Sequence, residues 1–325
     1  MRTIDIFCGC GGLSYGFVKE GFHLVRAFDN WKSAVDIYND NFLHMAEIKD
    51  IYDIAADYIQ SFSPDLIIGG PPCQDYSSAG KRDESMGRAD LTIKYAELVC
   101  ETKPKWFVME NVDRILKSKT LPKTIEIFKN SGYGLTQIVL DASLCGVPQK
   151  RKRFFLIGEM NGFDNFLYND LVINQSNENM TIYDYLGDEF GTEFYYRHPR
   201  SYQRRGIFSI HEPSPTIRGV NRPIPPNYQF HHGDATQEIS IVRPLTTLER
   251  ARIQTFPKTF RFSGNKTDVE QIIGNAVPVE LASYVAKTLK AYIKSKENFC
   301  EVSLENQVQF EPIHTKYAET VCKIT

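Results

Sequence analysis

The sequence predicts a doubly wound α/β domain joined to a smaller, loop-rich domain, and three observations carry that prediction. Short apolar runs alternate with helical periodicity through the first 160 residues. Chemically distinctive residues stand where those runs stop, which is where an open parallel sheet has its crevice. Beyond about residue 160 the pattern gives way to Asn, Asp, Pro, Arg and Tyr, and a helical period returns only from Thr247. At 42% hydrophobic and 24% charged, the 325 residues have the balance of a globular protein, with enough chain for one large core or two unequal domains. The expected boundaries are 1–160 for the large domain, 161–270 for the small one, 271–293 for a return to the large domain, and 294–325 for a C-terminal extension.

Each element follows from its local pattern. Residues 3–7 form the first strand and run into Cys8-Gly9-Cys10-Gly11-Gly12, after which Leu13, Phe17 and Val18 give a helix its apolar face. The second strand, 23–28, ends at Asp29, and a third short segment carries Asp50. Residues 65–68 are a fourth strand that enters Gly69-Gly70-Pro71-Pro72-Cys73, and 106–109 a fifth that ends at Glu110-Asn111. Strands around 137–140 and 153–157 complete the sheet. Residues 279–293 (VELASYVAKTLKAYI) read as an amphipathic helix suited to packing back on the large domain.

Composition excludes several classes. No run of 18 apolar residues and no signal-type stretch after Met1 occur, which argues against membrane spanning and secretion and for the cytoplasm. Seven cysteines, at 8, 10, 73, 100, 145, 300 and 322, are an odd, scattered set in a reducing compartment, so a disulfide framework is a poor account of them. Cys8 and Cys10 are separated by one residue where structural zinc sites place two to four, so no metal is expected. The formal net charge is −2, yet residues 194–262 hold eleven Lys and Arg against four Asp and Glu, and Lys150-Arg151-Lys152-Arg153 lies just upstream. A solvated basic face is one account; a phosphate-lined groove is the one preferred.

The glycine loop points to a nucleoside cofactor. Gly9 and Gly11 permit a tight turn and close backbone approach to a ligand at a helix N-terminus. Asp29, twenty residues beyond Gly9, is placed to accept ribose hydroxyls, with Phe7 offering a face to adenine and Asp50 an acceptor for its amino group. An NAD fingerprint would put Gly or Ala where Ser14 stands, so an oxidoreductase fits poorly. Cys73, between stiffening prolines and a polar run, reads as packing, disulfide partner, metal ligand or nucleophile. A carboxyl at Glu110, basic residues Arg151 and Arg153 with Gln149, and a nucleoside cofactor favour the nucleophile. Together they suit methylation of an unactivated pyrimidine carbon, which needs covalent addition at C6 and a proton donor at N3.

These residues also carry a resemblance. FCGCGG at 7–12, PPCQ at 71–74 followed by Ser77, ENV at 110–112, QKRKR at 149–153, RPLTTLERARIQTFP at 243–257 and GNAVP at 274–278 stand in the order found in cytosine-C5 DNA methyltransferases of the bacterial restriction-modification kind. The chain resembles that family from residue 3 to about 293. The resemblance implies a Rossmann-like S-adenosylmethionine-dependent methyltransferase domain with a target-recognition domain. It implies that Cys73 adds to C6 of a flipped cytosine in duplex DNA, that Glu110 hydrogen-bonds or protonates N3 and senses the 4-amino group, and that Arg151 and Arg153 hold the base's O2 and the nucleophile region. Arg153 could equally serve Glu110. Pro72, Gln74 and Ser77 would shape the nucleophile loop, Asn111 brace the turn presenting Glu110, and Gln149 order its own loop. Phe7, Gly9, Gly11, Asp29, Asp50, Leu91, Asn275 and Val277 match cofactor positions, with S-adenosylhomocysteine as product. Two departures stand out. Tyr76 replaces the usual Phe, and Asp29 replaces Glu, with Trp31 one residue later than the aromatic that commonly follows the acid.

Residues 80–88, with Gly80, Lys81, Arg82, Gly87 and Arg88, are expected to cover flipped DNA. Residues 213–225 resemble a recognition element in which Arg218 and Arg222 contact bases or phosphates. Double-stranded DNA is the expected partner, the enzyme acting as a monomer, nucleoid-associated when bound, with a cognate restriction endonuclease acting separately. The alternatives are a transfer-RNA cytosine methyltransferase and a non-catalytic DNA-binding homologue.

Overall fold

The strands β1 (Arg2–Ile6), β2 (His23–Asp29), β3 (Ala46–Ile48), β4 (Leu66–Gly69), β5 (Trp106–Val112), β6 (Tyr133–Asp141) and β8 (Lys152–Met160) form one sheet in the order β3-β2-β1-β4-β5-β8-β6. This is a computed structural model describing residues 1–72, 90–199, 201 and 203–308, without the side chains of Asp90 and 299–308. The expectations resting on Cys73, Gln74, Tyr76, Ser77 and the 80–88 cover lie outside the described residues. β1 to β5 are mutually parallel, while β8 runs antiparallel to both β5 and β6.

Both faces of the sheet are covered, so β4 and β5 read as near-continuous apolar runs rather than alternations. On one face Leu66, Ile68, Trp106 and Val108 meet α1 (Gly12–Lys19), α6 (Tyr168–Ile173) and α10 (Val279–Val308). On the other, Ile67, Phe107 and Met109 meet α3 (Ala56–Gln60), α4 (Asp90–Thr102) and α5 (Thr120–Asn130). Fully buried side chains such as Phe17, Phe107 and Leu281 contribute ~1.5–3 kcal/mol each.

Four expectations need adjustment. Val18 is exposed, because among its aliphatic and phenyl side chains α1 buries only Leu13 and Phe17, and it seats Gly16 against α10. β6 is longer than the 137–140 core, since pairing with β8 carries it from Tyr133 to Asp141. α10 continues past residue 293 to Val308, so 294–308 are helical. Residues beyond 160 do not leave the large core at once: Phe166, Leu167 and Leu171 pack with Trp106 and α10, and Asp164 accepts from the amide of Leu135.

The remaining chain builds a small sheet, β10-β9-β12, from β9 (Phe194–Tyr196), β10 (Ile207–Ser209) and β12 (Arg243–Pro244), and a two-stranded parallel pair of β7 (Gln149–Lys150) with β11 (Ser214–Pro215). Helices α7 (Ile182–Leu186), α8 (Thr247–Ile253) and α9 (Lys266–Asn275) share one core with Cys10 and with Ala34 and Ile37 of α2 (Lys32–Asn39). The second region is therefore fused to the glycine-loop end of the sheet.

Candidate active site

The loop after β1 alternates left-handed residues: Phe7 at φ 65°, Gly9 at 54° and Gly11 at 95°. For an aromatic residue this backbone is strained, by on the order of 1–3 kcal/mol, and such strain clusters at ligand sites. Among the described residues a Cβ on Gly9 would meet nothing within 4 Å, so none of them crowds the loop backbone there. One on Gly12 would lie 2.3 Å from the carbonyl oxygen of Val277, which seats the start of α1 on the turn before α10.

Asp29 closes this loop from β2. Its Oδ2 accepts the amide of Gly9 at 2.8 Å and its Oδ1 the amide of Trp31 at 2.8 Å. Burial pushes its pKa up and those N–H bonds oppose the rise. Each oxygen retains acceptor capacity, so a ribose diol fits. Trp31 packs against the core shared by α2 and α9. Asp50 caps the turn Ile51–Asp53 through the amide of Tyr52 at 3.1 Å and accepts from Asn30 Nδ2 at 3.0 Å. Leu91 is half-buried at the start of α4; Val277 is buried; Asn275 is exposed, its Oδ1 accepting from Gln271 Nε2 at 2.9 Å. An open, strained glycine loop bounded by a partly satisfied carboxylate fits a nucleoside cofactor.

Beneath the loop lies a polar chain that pattern reading missed. Asp5, fully buried in β1, accepts from Ser14 Oγ at 2.6 Å; Ser14 Oγ meets Tyr38 OH at 2.8 Å, and Tyr38 OH meets His44 Nε2 at 2.6 Å. Burial raises the Asp5 pKa to about 8, and lowers that of His44 to about 4. The signal was one acid inside the apolar run TIDIF. It also explains Ser14, where a dinucleotide loop would have Gly or Ala: the hydroxyl is needed by the acid below.

The second half of the site stands where β4 and β5 end. Their register pairs Gly69 with Met109, which brings Gly70 beside Glu110: a Cβ on Gly70 would lie 3.2 Å from Glu110 Oε2. Asn111 Nδ2 donates to the carbonyl of Pro71 at 3.3 Å, and its Oδ1 accepts the amide of Val112. Glu110 is thus held against the chain two residues before Cys73, with Pro72 half-buried between. Because β8 is antiparallel, its first residues arrive at this same end, and Arg153 Nε reaches Glu110 Oε1 at 2.7 Å. Burial raises the Glu110 pKa and the guanidiniums of Arg153 and Arg151 pull against it. The net direction is upward, so burial outweighs both cations at this carboxyl.

Arg151 differs from the expectation that it holds the substrate base. Only 2% exposed, it donates through Nη1 to the carbonyl of Ile217 at 3.0 Å and through Nη2 to those of Gly274 and Ala276, each at 3.0 Å. Those donors are spent on backbone, so its work is to join two segments. Gln149 is equally buried: its Oε1 accepts the amide of Ile217 and its Nε2 donates to Gln254 Oε1, both at 2.8 Å. Gln254 in turn donates to the carbonyls of Ile273 and Ala276. It sits inside the RARIQTFP run, and only a partner across the fold reveals its role.

The basic region is less available than its composition suggested. Arg197 and Arg218 donate to the carbonyls of Thr216 and His198, Arg205 and Arg243 pair with Glu212 and Glu249, and Arg250 pairs with buried Glu270. Arg204, Arg222 and Arg261 are exposed. Of the two candidate readers, Arg222 faces solvent and Arg218 is partly committed. Among the described residues, Cys8, Cys10, Cys100 and Cys145 are free and buried, no cluster of His, Cys, Asp and Glu could hold a metal, and no helix is long and apolar enough to cross a membrane.

Comparison with known proteins agrees with this geometry. A family model described as C-5 cytosine-specific DNA methylase matches residues 1–291. The Type II methyltransferase M.HindV of Haemophilus influenzae is 58% identical over 297 residues, covering 89% of this chain and 96% of that protein. M.HgiDI of Herpetosiphon aurantiacus, also a Type II methyltransferase, is 53% identical over 295 residues, covering 90% and 95%. In three dimensions the chain is similar to a Dnmt2 methyltransferase of S. pombe, with a TM-score of 0.69 at 19% identity over 90% of this chain and 99% of that one.

Proposed function

Since the chain belongs to the family of C-5 cytosine-specific DNA methylases and is a DNA (cytosine-5) methyltransferase, we propose that it methylates a flipped cytosine in duplex DNA through a covalent bond from Cys73 to C6. The observation that carries this reading is the join at the ends of β4 and β5. Asn111 holds Pro71, Gly70 lies against Glu110, and Arg153 locks the carboxyl, so the acid and the segment leading to Cys73 share one crevice.

Cytosine C5 is nucleophilic only once C6 is saturated. The Cys73 sulfur forms the bond to C6, and the electron pair of the 5,6 double bond becomes available at C5 as Glu110 supplies a proton to N3. S-adenosylmethionine, when bound, supplies the electrophilic methyl; Phe7, Gly9, Gly11, Asp29, Asp50, Leu91, Asn275 and Val277 would hold it. N3 then returns its proton to Glu110, water takes the C5 proton, and the C6–S bond breaks as the thiolate leaves, which restores the ring. Arg153 orients Glu110, while Arg151 and Gln149 position neighbouring backbone. The target base must leave the stack, at a cost of a few kcal/mol, because a sulfur in this crevice has no access to C6 of a paired base. Arg222 is the preferred DNA contact in the second region, and a separate endonuclease of the same specificity would complete a restriction-modification pair.

Bisulfite sequencing of plasmid DNA exposed to the enzyme gives the modified base and its context. Duplex carrying 5-fluorocytosine at that position should trap the protein covalently, since fluorine cannot leave as a proton does. An enzyme that methylates the normal duplex but forms no adduct at Cys73 would refute the covalent route.

A further inference from the structure

We propose that Arg151 is a positioning residue that makes DNA binding and cofactor binding depend on one another. One buried guanidinium holds the backbone of the segment facing DNA and of the turn facing the cofactor. The inference rests on the reading above, in which residues 213–222 meet DNA and Asn275 and Val277 line the cofactor site.

Nη1 takes the carbonyl of Ile217, and Nη2 takes those of Gly274 and Ala276, each at 3.0 Å. A planar fork spreads its donors over three nitrogens and so spans carbonyls on two segments, whereas the three donors of lysine share one nitrogen. The two segments also touch directly: a Cβ on Gly274 would lie 2.3 Å from the amide nitrogen of Gly219 and 2.4 Å from the carbonyl carbon of Arg218. Gln149 adds a second brace, gripping the amide of Ile217 and, through Gln254, the carbonyls of Ile273 and Ala276. Backbones packed this closely shift together or not at all.

From the far side of each segment a ligand would gain its hold. Val220 and Arg222 are exposed just past the clamped Ile217, and Asn275 is exposed within the clamped turn. The turn continues to Val277, whose carbonyl bears on Gly12 at the head of the glycine loop. DNA pressing on 217–222 therefore bears on the cofactor loop through Arg151, and linkage requires the converse with the same factor.

The test measures S-adenosylhomocysteine affinity by calorimetry, with and without a duplex containing the sequence identified by bisulfite mapping. Wild type, Arg151→Lys and Leu171→Ala, a core truncation in α6 that removes none of the clamp's hydrogen bonds, are compared. The duplex should tighten wild-type binding within the ~5- to 150-fold range of ordinary coupling. Arg151→Lys should bind S-adenosylhomocysteine alone within about threefold of wild type, on the energy scale of one lost hydrogen bond, yet lose most of that tightening, while Leu171→Ala keeps it. Absence of tightening in the wild type, its retention in Arg151→Lys, or its loss in Leu171→Ala overturns the proposal. A wild type that binds no S-adenosylhomocysteine overturns the cofactor assignment instead. Should Arg151→Lys not fold, hydrogen exchange on the wild type decides: S-adenosylhomocysteine alone should slow amides in 216–220 as well as in 274–277, and protection confined to 274–277 would sink the clamp.

Discussion

In the proposed mechanism Glu110 carries more of the chemistry than any other described residue, and its surroundings define what it can do. Burial disfavours its charge, while Arg153 at 2.7 Å keeps the carboxyl oriented. An amide keeps the hydrogen bond and has no proton to give. Glu110→Gln should therefore lower kcat by ~10²- to 10⁴-fold in initial-rate methylation assays while DNA binding persists; a loss under about tenfold would remove Glu110 from the proton step. The acid itself was legible, because ENV follows an apolar strand. That Arg153 could serve Glu110 was legible too; that Arg151 turns away was not, since residues two apart on an unbroken strand share a face, and the break at Arg151 between β7 and β8 shows only in the fold.

At the scale of elements, the seat of α1 on the turn before α10 decides the shape of the cofactor loop. Gly12 has no room for a methyl group because the obstacle is the backbone oxygen of Val277, 2.3 Å from a Cβ. Gly12→Ala should cost about 1–3 kcal/mol through overpacking. It should lower the melting temperature by several degrees and weaken S-adenosylhomocysteine binding measured by titration; an unchanged melting curve and affinity would show that the two elements part easily. Strand and helix positions in the large domain were legible because both faces of the sheet are apolar and the breaks are glycine or polar. The small domain was not: its strands are two or three residues long and its order depends on pairings such as β12 with β9, distant in sequence. The basic excess of that region overstated how many cations are open to a partner, for a related reason. Counting charges cannot distinguish an arginine on the surface from Arg250, which closes on Glu270 in the interior.

For the whole molecule, the buried acid under the glycine loop links folding to pH. The Asp5 pKa lies at about 8 in the folded chain and near 3.9 when unfolded. Between those limits the folded form holds a proton that the unfolded form lacks. The stability it contributes is complete below about pH 4 and is lost as pH rises through about 8, with a slope of ~1.4 kcal/mol per pH unit for one proton. Asp5→Asn should fold with a shallower decline in unfolding free energy between about pH 5 and 8, read from urea melts across that range. Parallel profiles for the two proteins would mean that Asp5 ionises freely.

The clamp at Arg151 bears on the life of the chain as it is made. Its partners lie at 217 and at 274–276, and the first helix rests on residues 277–283. A polypeptide that has emerged only to residue 250 already contains Cys73, Glu110 and both arginines. It lacks the turn that Arg151 is built against. The packing of the N-terminal half is therefore complete only once 274–283 are made, and contacts of such long span slow folding. A chain stopped at residue 250 is expected to transfer no methyl group, which an assay of that truncation would check.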